Sequence, residues 1–174
     1  MNLLRHAVVF VVLATVLLAI VGCLARGGII SFNLDLDQAP LDAGTQRFVR
    51  AWLRLGLVLG VVTPLVVCLC WLRSSDVRQT LGVYVMVLVA QIATEVMMRR
   101  LFFTSMLVII GTTYTAYRLW QLWRIEQVLG TSEQLSQNAR RLMMGLLYFL
   151  VAFWTVNLTV VLLGIEWPRL FVEV

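Results

Sequence analysis

Residues 80–123 read TLGVYVMVLVAQIATEVMMRRLFFTSMLVIIGTTYTAYRLWQLW, an almost unbroken apolar stretch with Glu95, Arg99 and Arg100 near its middle. As one straight helix it would run roughly 66 Å at about 1.5 Å per residue, about twice the hydrocarbon thickness of a bilayer. It therefore has to turn back on itself, and the place where it does so sets the number of spans and the level of Glu95. Each charge left at the midplane costs roughly 2.5–3.5 kcal/mol on insertion scales, so the turn is expected at Met97–Arg100, between two antiparallel spans. One long helix, giving four spans in all, is the alternative.

The rest of the chain is of the same kind. It is 61% hydrophobic and 13% charged, whereas a soluble domain has about half its residues apolar and about a quarter charged. So large an excess requires lipid over most of the surface. An all-α integral membrane protein follows, a single domain over residues 1–174, with spans at about 7–25, 51–72, 80–98, 101–123 and 143–164. The longest polar stretch, Arg26–Arg50, is too short for a core of its own. Within it, Phe32–Asp37 alternates with period two and is expected to be extended.

Local signals fill in the joints. Arg5, the apolar run and Ile20-Val21-Gly22-Cys23 resemble a bacterial lipoprotein signal, but an uncleaved first helix is expected. Thr45 is the expected cap of the second helix, Pro64 its kink, and Ser74 or Ser75 the cap of the third. Gly130 reads as a helix end, and Thr131 with Gln134 has capping-box spacing. Arg118 lies twelve residues before Gly130 and Arg141 eleven after it. Residues 118–141 are therefore expected to form a helical hairpin protruding roughly 15–18 Å from the membrane at 1.5 Å per residue.

All basic residues are arginine, and the net charge is +5. Arginine makes bidentate contacts with phosphate and carboxylate that lysine does not. The arginines are scattered over span ends rather than gathered in a polar domain, so nucleic acid is not an expected partner. Anionic lipid or a partner subunit is the expected contact of Arg47, Arg50, Arg54, Arg100, Arg118, Arg124, Arg140 and Arg141. With five spans each side of the membrane holds seven arginines, so the positive-inside rule gives no orientation.

Three further features are candidates for chemistry or packing. Gln91, Glu95 and Arg99 share a helical face with Tyr84. Glu95 precedes Arg99 by four residues, the favourable order for an in-helix ion pair. Glu95 with Gln91, Arg99 or Arg54 is thus either a structural ion pair or part of an ion or proton path. Gly56-x-x-x-Gly60 is a small-residue face for helix packing. Cys68-x-Cys70 and Cys23 read as apolar thiols rather than a redox pair. His6 reads as a solvated terminal residue, and Trp154 and Asn157 as interhelical packing groups.

No Ser/His/Asp set, H-E-x-x-H pattern or phosphate-binding glycine loop occurs. No enzyme activity, metal or cofactor is expected. The expected function is that of a non-catalytic accessory subunit that stabilises or connects other subunits of a membrane complex. A small, oligomeric transporter or channel with Glu95 on its path is the alternative.

Overall fold

The computed structural model describes residues 3–30, 33, 41–71 and 73–171. Five long helices make up the bundle: α1 (Leu3–Arg26), α2 (Ala43–Cys70), α3 (Ser75–Leu101), α4 (Met106–Gly130) and α5 (Gln137–Leu170). The all-α membrane-type fold read from the sequence is the observed one. The extended segment expected at Phe32–Asp37 lies outside the described residues, apart from Asn33.

Four of the five helices, α1, α2, α3 and α5, are long and apolar enough to cross a membrane. Their outward faces carry the residues a water-soluble protein would hide. Leu17, Leu53 and Val89 are each about three-fifths exposed (61%, 62% and 60%). A continuous apolar exterior of this kind is stable against lipid and not against water. The protein is therefore a membrane protein. α4 is the exception in both respects. Its second half carries Arg118, Arg124 and Glu126, polar Thr, Tyr and Gln residues lower its hydropathy, and it is the most enclosed helix of the bundle.

α3 and α4 pair along their lengths and form the centre. On one flank α1 packs with a seam of small side chains, Ala7, Ala14, Gly22 and Ala25 with Leu18, against Val83, Val87, Ile110 and Tyr114. Small residues bring helix backbones close and gain dispersion contacts that lipid cannot match. On the other flank α2 and α5 close a second core around Leu81, Leu122, Ile125, Leu147 and Leu150.

The turn expected at Met97–Arg100 is displaced. α3 continues through Leu101, and the chain reverses over Phe102–Ser105. The sequence there lacks glycine and proline because the reversal is held from outside. The Phe102 ring lies against Gly22 of α1, where an added Cβ would sit 2.8 Å from the ring. Ser105 donates a hydrogen bond to the Asn33 carbonyl.

The hairpin expected over 118–141 is present as the end of α4 and the start of α5, and it packs against the bundle. Leu122, Ile125, Leu129 and Leu135 are buried in the second core. The α4–α5 connection is tied down on the start of α3: Ser132 Oγ donates to Asp76 Oδ2 at 2.6 Å, and Ser75 N donates to Gln134 Oε1 at 3.0 Å. The expected capping box is replaced by Ser136, which accepts from Ala139 N at 3.3 Å and caps α5. Ser74 caps α3. Cys68 is buried, whereas Cys23 and Cys70 face outward.

Asp42, not Thr45, caps α2, with Oδ1 accepting from Gly44 N at 2.9 Å and Thr45 N at 3.1 Å. Its hydrogen bonds with Thr45, side chain first and then backbone, hold the carboxyl below the ordinary value. A depressed folded-state pKa stabilises the helix start above the ordinary carboxyl value, and that contribution disappears as pH falls through the depressed one. Acidification should therefore release amide exchange at Gly44–Arg47 before the rest of α2. An Asp42→Ala protein should show that fast exchange at neutral pH already, and equal protection in the two proteins at pH 7 would refute the cap.

Two stretches wind as π-helix: Val58–Val62 in α2 and Asn157–Glu166 in α5. The first ends just before Pro64, which has no N–H for the α-type bond to the Gly60 carbonyl. That carbonyl instead accepts a hydrogen bond from Tyr84 Oη at 3.0 Å, and Tyr84 Oη accepts from Trp154 Nε1 at 2.9 Å. The kink expected at Pro64 is thus a change of winding, bridged to α3 and α5.

Candidate functional site

A cleft of ≈ 440 Å³ opens between α2, α3, α4 and α5. Leu53, Leu57 and Ile92, all about half exposed or more, form its rim, so it opens through the side of the bundle. Leu88, Leu107, Val108, Val161 and Leu162 make its walls aliphatic, and Trp52, Phe153 and Trp154 make them aromatic. The polar groups among them are Gln91, Glu95, Thr115, Arg118, Asn157 and Glu166.

Arg118 is the innermost of these. It stands midway along α4, twelve residues from Met106 and twelve from Gly130. Its relative exposure is 0%. One face of the guanidinium lies over the Trp154 ring, 4.0 Å from the centroid, and the Tyr84 ring is 5.9 Å away. Nη2 donates to Gln91 Oε1. Nε and Nη1 have no hydrogen-bond partner. One helical turn further along α4, Gln121 is equally buried, and neither its Nε2 nor its Oε1 is bonded.

The Gln91 amide continues outward. Its Nε2 donates to Glu95 Oε1 at 2.7 Å. Arg118, Gln91 and Glu95 thus form a relay in which one amide separates the cation from the carboxylate. No ion pair joins Glu95 to Arg99 or Arg54, which are exposed on the outer faces of α3 and α2. The expected in-helix pair fails because Arg99 points away from the bundle, whereas Gln91, one turn inward, is already bonded to Arg118.

The opposite wall is shaped by the unusual winding of α5. At 3.6 residues per turn the nine residues from Asn157 to Glu166 would sweep about 900°, placing the two side chains on opposite faces. The π ladder, with bonds to the fifth residue, unwinds this stretch and brings Asn157, Val161, Leu162 and Glu166 all to the cleft. Asn157 Oδ1 accepts from Trp52 Nε1 at 2.9 Å, tying α5 to α2 across the cleft. Glu166 is held by Arg169 at 2.6 Å. Val61, from the π turn of α2, completes the lining. π-helical segments concentrate at functional sites, and both of these border the same cleft.

The other sequence candidates lie elsewhere. Arg47, Arg50, Arg100 and Arg141 are exposed; Arg50 bonds back to Gln46 of its own helix. Arg124 reaches Gln127 Oε1 at 2.8 Å and lies over Trp123. Arg140 donates to the Ser132 carbonyl and fastens the α4–α5 connection. Gly56 and Gly60 seat the rings of Phe153 and Trp154. His6 is exposed and stands edge-on to Trp120.

Of the residues singled out from sequence, Gln91, Glu95, Arg118, Trp154 and Asn157 are brought together at the cleft, the last two also joining helices as expected. Sequence reasoning placed Arg118 at the foot of a protruding hairpin, from its distance to Gly130. The available signal was its spacing, four residues from Tyr114 and three from Gln121, which puts the three polar groups on one helical face. Thr115 and Glu166 carried no such signal. Neither the protein-family models nor the known proteins and solved structures compared with this chain give a match.

Proposed function

We propose that this protein is a non-catalytic membrane subunit that acts by holding another membrane component, as one part of a larger assembly. One observation carries the reading: a guanidinium fully enclosed at mid-height of the bundle, two of its nitrogens unbonded, at the inner end of a cleft open to the side. A charge kept at such depth costs several kcal/mol, and intramembrane charges are retained where they bind or move something. The groups around it supply a fixed cation, hydrogen-bond donors and aromatic surface, which suits holding more than turning over.

The transport alternative draws support from the Arg118–Gln91–Glu95 relay, which joins two ionisable groups through one amide. Against it, the relay ends on a fixed cation, and an arginine in a conduit raises an electrostatic barrier to protons and metal cations.

Native mass spectrometry of the protein extracted gently from its own membrane separates the readings. Different subunits at fixed stoichiometry are the expected result. A lone monomer or homo-oligomer, together with ion flux in vesicles that Glu95→Gln abolishes, would replace the subunit reading with the transport one.

A further inference from the structure

Building on the holding role just proposed, we infer that the lateral cleft binds an amphiphile by its oxyanion: a carboxylate or phosphate on Arg118, with the hydrocarbon chain lying between α2 and α3. This names the ligand chemistry of the site, which the subunit reading leaves open.

The argument starts from what Arg118 lacks. A guanidinium carries five N–H donors. Here Nη2 alone is bonded, to a neutral amide oxygen, and Trp154 covers a face rather than an edge. Among the described residues Nε and Nη1 are left with no acceptor, and both are shielded from solvent. Buried donors without acceptors are rare in proteins, and buried cations more so. Carboxylate and phosphate are the oxyanions that present two adjacent oxygens to such a fork.

The rest of the cleft specifies what the oxyanion is attached to. Its rim residues Leu53, Leu57 and Ile92 lie on the apolar exterior, where acyl chains run, rather than at a helix end where a water-soluble anion would enter. The walls behind them are mostly aliphatic and aromatic, with Gln91, Glu95, Thr115, Asn157 and Glu166 as the polar groups beside Arg118. A volume of ≈ 440 Å³ is in the range of small-molecule sites. Charge on the walls sharpens the expectation. Glu166 is neutralised by Arg169, but Glu95 is held only by the Gln91 amide, so its carboxylate faces an incoming anion. Glu95 then works against binding, and removing its charge strengthens the complex.

The test uses the full chain in nanodiscs of zwitterionic phosphatidylcholine. Trp52 and Trp154 line the cleft and report occupancy. Dibromostearate, the corresponding dibromo alcohol and a brominated phosphatidic acid are titrated while tryptophan quenching is followed. We expect saturable quenching by at least one oxyanion probe, about tenfold or more tighter than by the alcohol. Preference between the first and third probes tells a fatty carboxylate from a phospholipid head group. Glu95→Gln should tighten the oxyanion probe several-fold, and Arg118→Gln should level it with the alcohol. Should Arg118→Gln fail to fold, Ile92→Phe at the rim narrows the cleft with Arg118 in place, adds no new tryptophan, and should abolish saturable quenching. Equal quenching by alcohol and oxyanion probes in the parent protein, or oxyanion binding that survives Arg118→Gln, overturns the assignment. Partner subunits that still co-purify in that event would leave the subunit reading standing.

Discussion

Tyr84→Phe is expected to destabilise the bundle by about 2–4 kcal/mol, the cost of leaving two buried polar groups without their partner. The hydroxyl is the only part removed, and the ring keeps its place in the core. Its oxygen accepts from Trp154 Nε1 and donates to the Gly60 carbonyl. Phenylalanine strands the indole N–H, and it strands a carbonyl that Pro64 has already deprived of its α-ladder donor. Thermal unfolding in detergent, followed by near-ultraviolet circular dichroism, reads the loss. A Phe variant as stable as the parent would show that the hydroxyl bridges nothing of consequence. Trp154 also carries the Arg118 guanidinium on its face. The variant should therefore loosen oxyanion binding as well, by freeing the ring on which the cation rests.

Gly60→Ala is expected to cost about as much, through volume instead of polarity. An added Cβ would stand 2.5 Å from Trp154 Cζ2 and 3.2 Å from Cη2. The ring packs on Phe153, is hydrogen-bonded to Tyr84 and carries Arg118, so yielding to the new methyl means disturbing those contacts. Overpacking of this kind costs about 1–3 kcal/mol, occasionally more. Gly145 supplies the control. A Cβ there meets nothing within 4 Å, so Gly145→Ala should gain up to about 1 kcal/mol from helix propensity alone. Equal effects at the two glycines would contradict the close seating of Trp154. Because Gly60 and Tyr84 share Trp154, the two destabilising changes should not add.

The number of helices was legible in this sequence because lipid imposes a length and a composition on anything that crosses it. Helices α1, α2, α3 and α5 follow from that alone. Less was legible where one helix decides the shape of another. The α3–α4 reversal has no turn residues of its own; it is set by Phe102 resting on Gly22, eighty residues earlier. Capping was readable at Ser74, a local matter of one hydroxyl and its own helix, and misread at Thr45 and Thr131. There Asp42 and Ser136, each close by in sequence, hold the better geometry. In the cleft, the Gln91 and Glu95 face was visible as a four-residue spacing. The burial of Arg118 was not, since a cation at that distance from Gly130 reads as the foot of a hairpin until Gln91 and Trp154 are known to surround it. The π winding of Asn157–Glu166 has no sequence signature that period-3.6 reasoning detects, and it alone brings Glu166 round to the cleft.

The separation of the two cores has a consequence for how such a chain is made. Among the described residues α1 packs chiefly against α3 and α4, and α2 lies on the far flank, so both leave the ribosome before their packing partners exist. Each is apolar enough to wait in lipid alone. α4 is not, because Arg118 finds Gln91 already synthesised but Trp154 still to come. Entry of α4 into the bilayer is therefore expected to await α5, whose Trp154 covers the Arg118 guanidinium in the finished bundle, so that the two helices would insert as one unit.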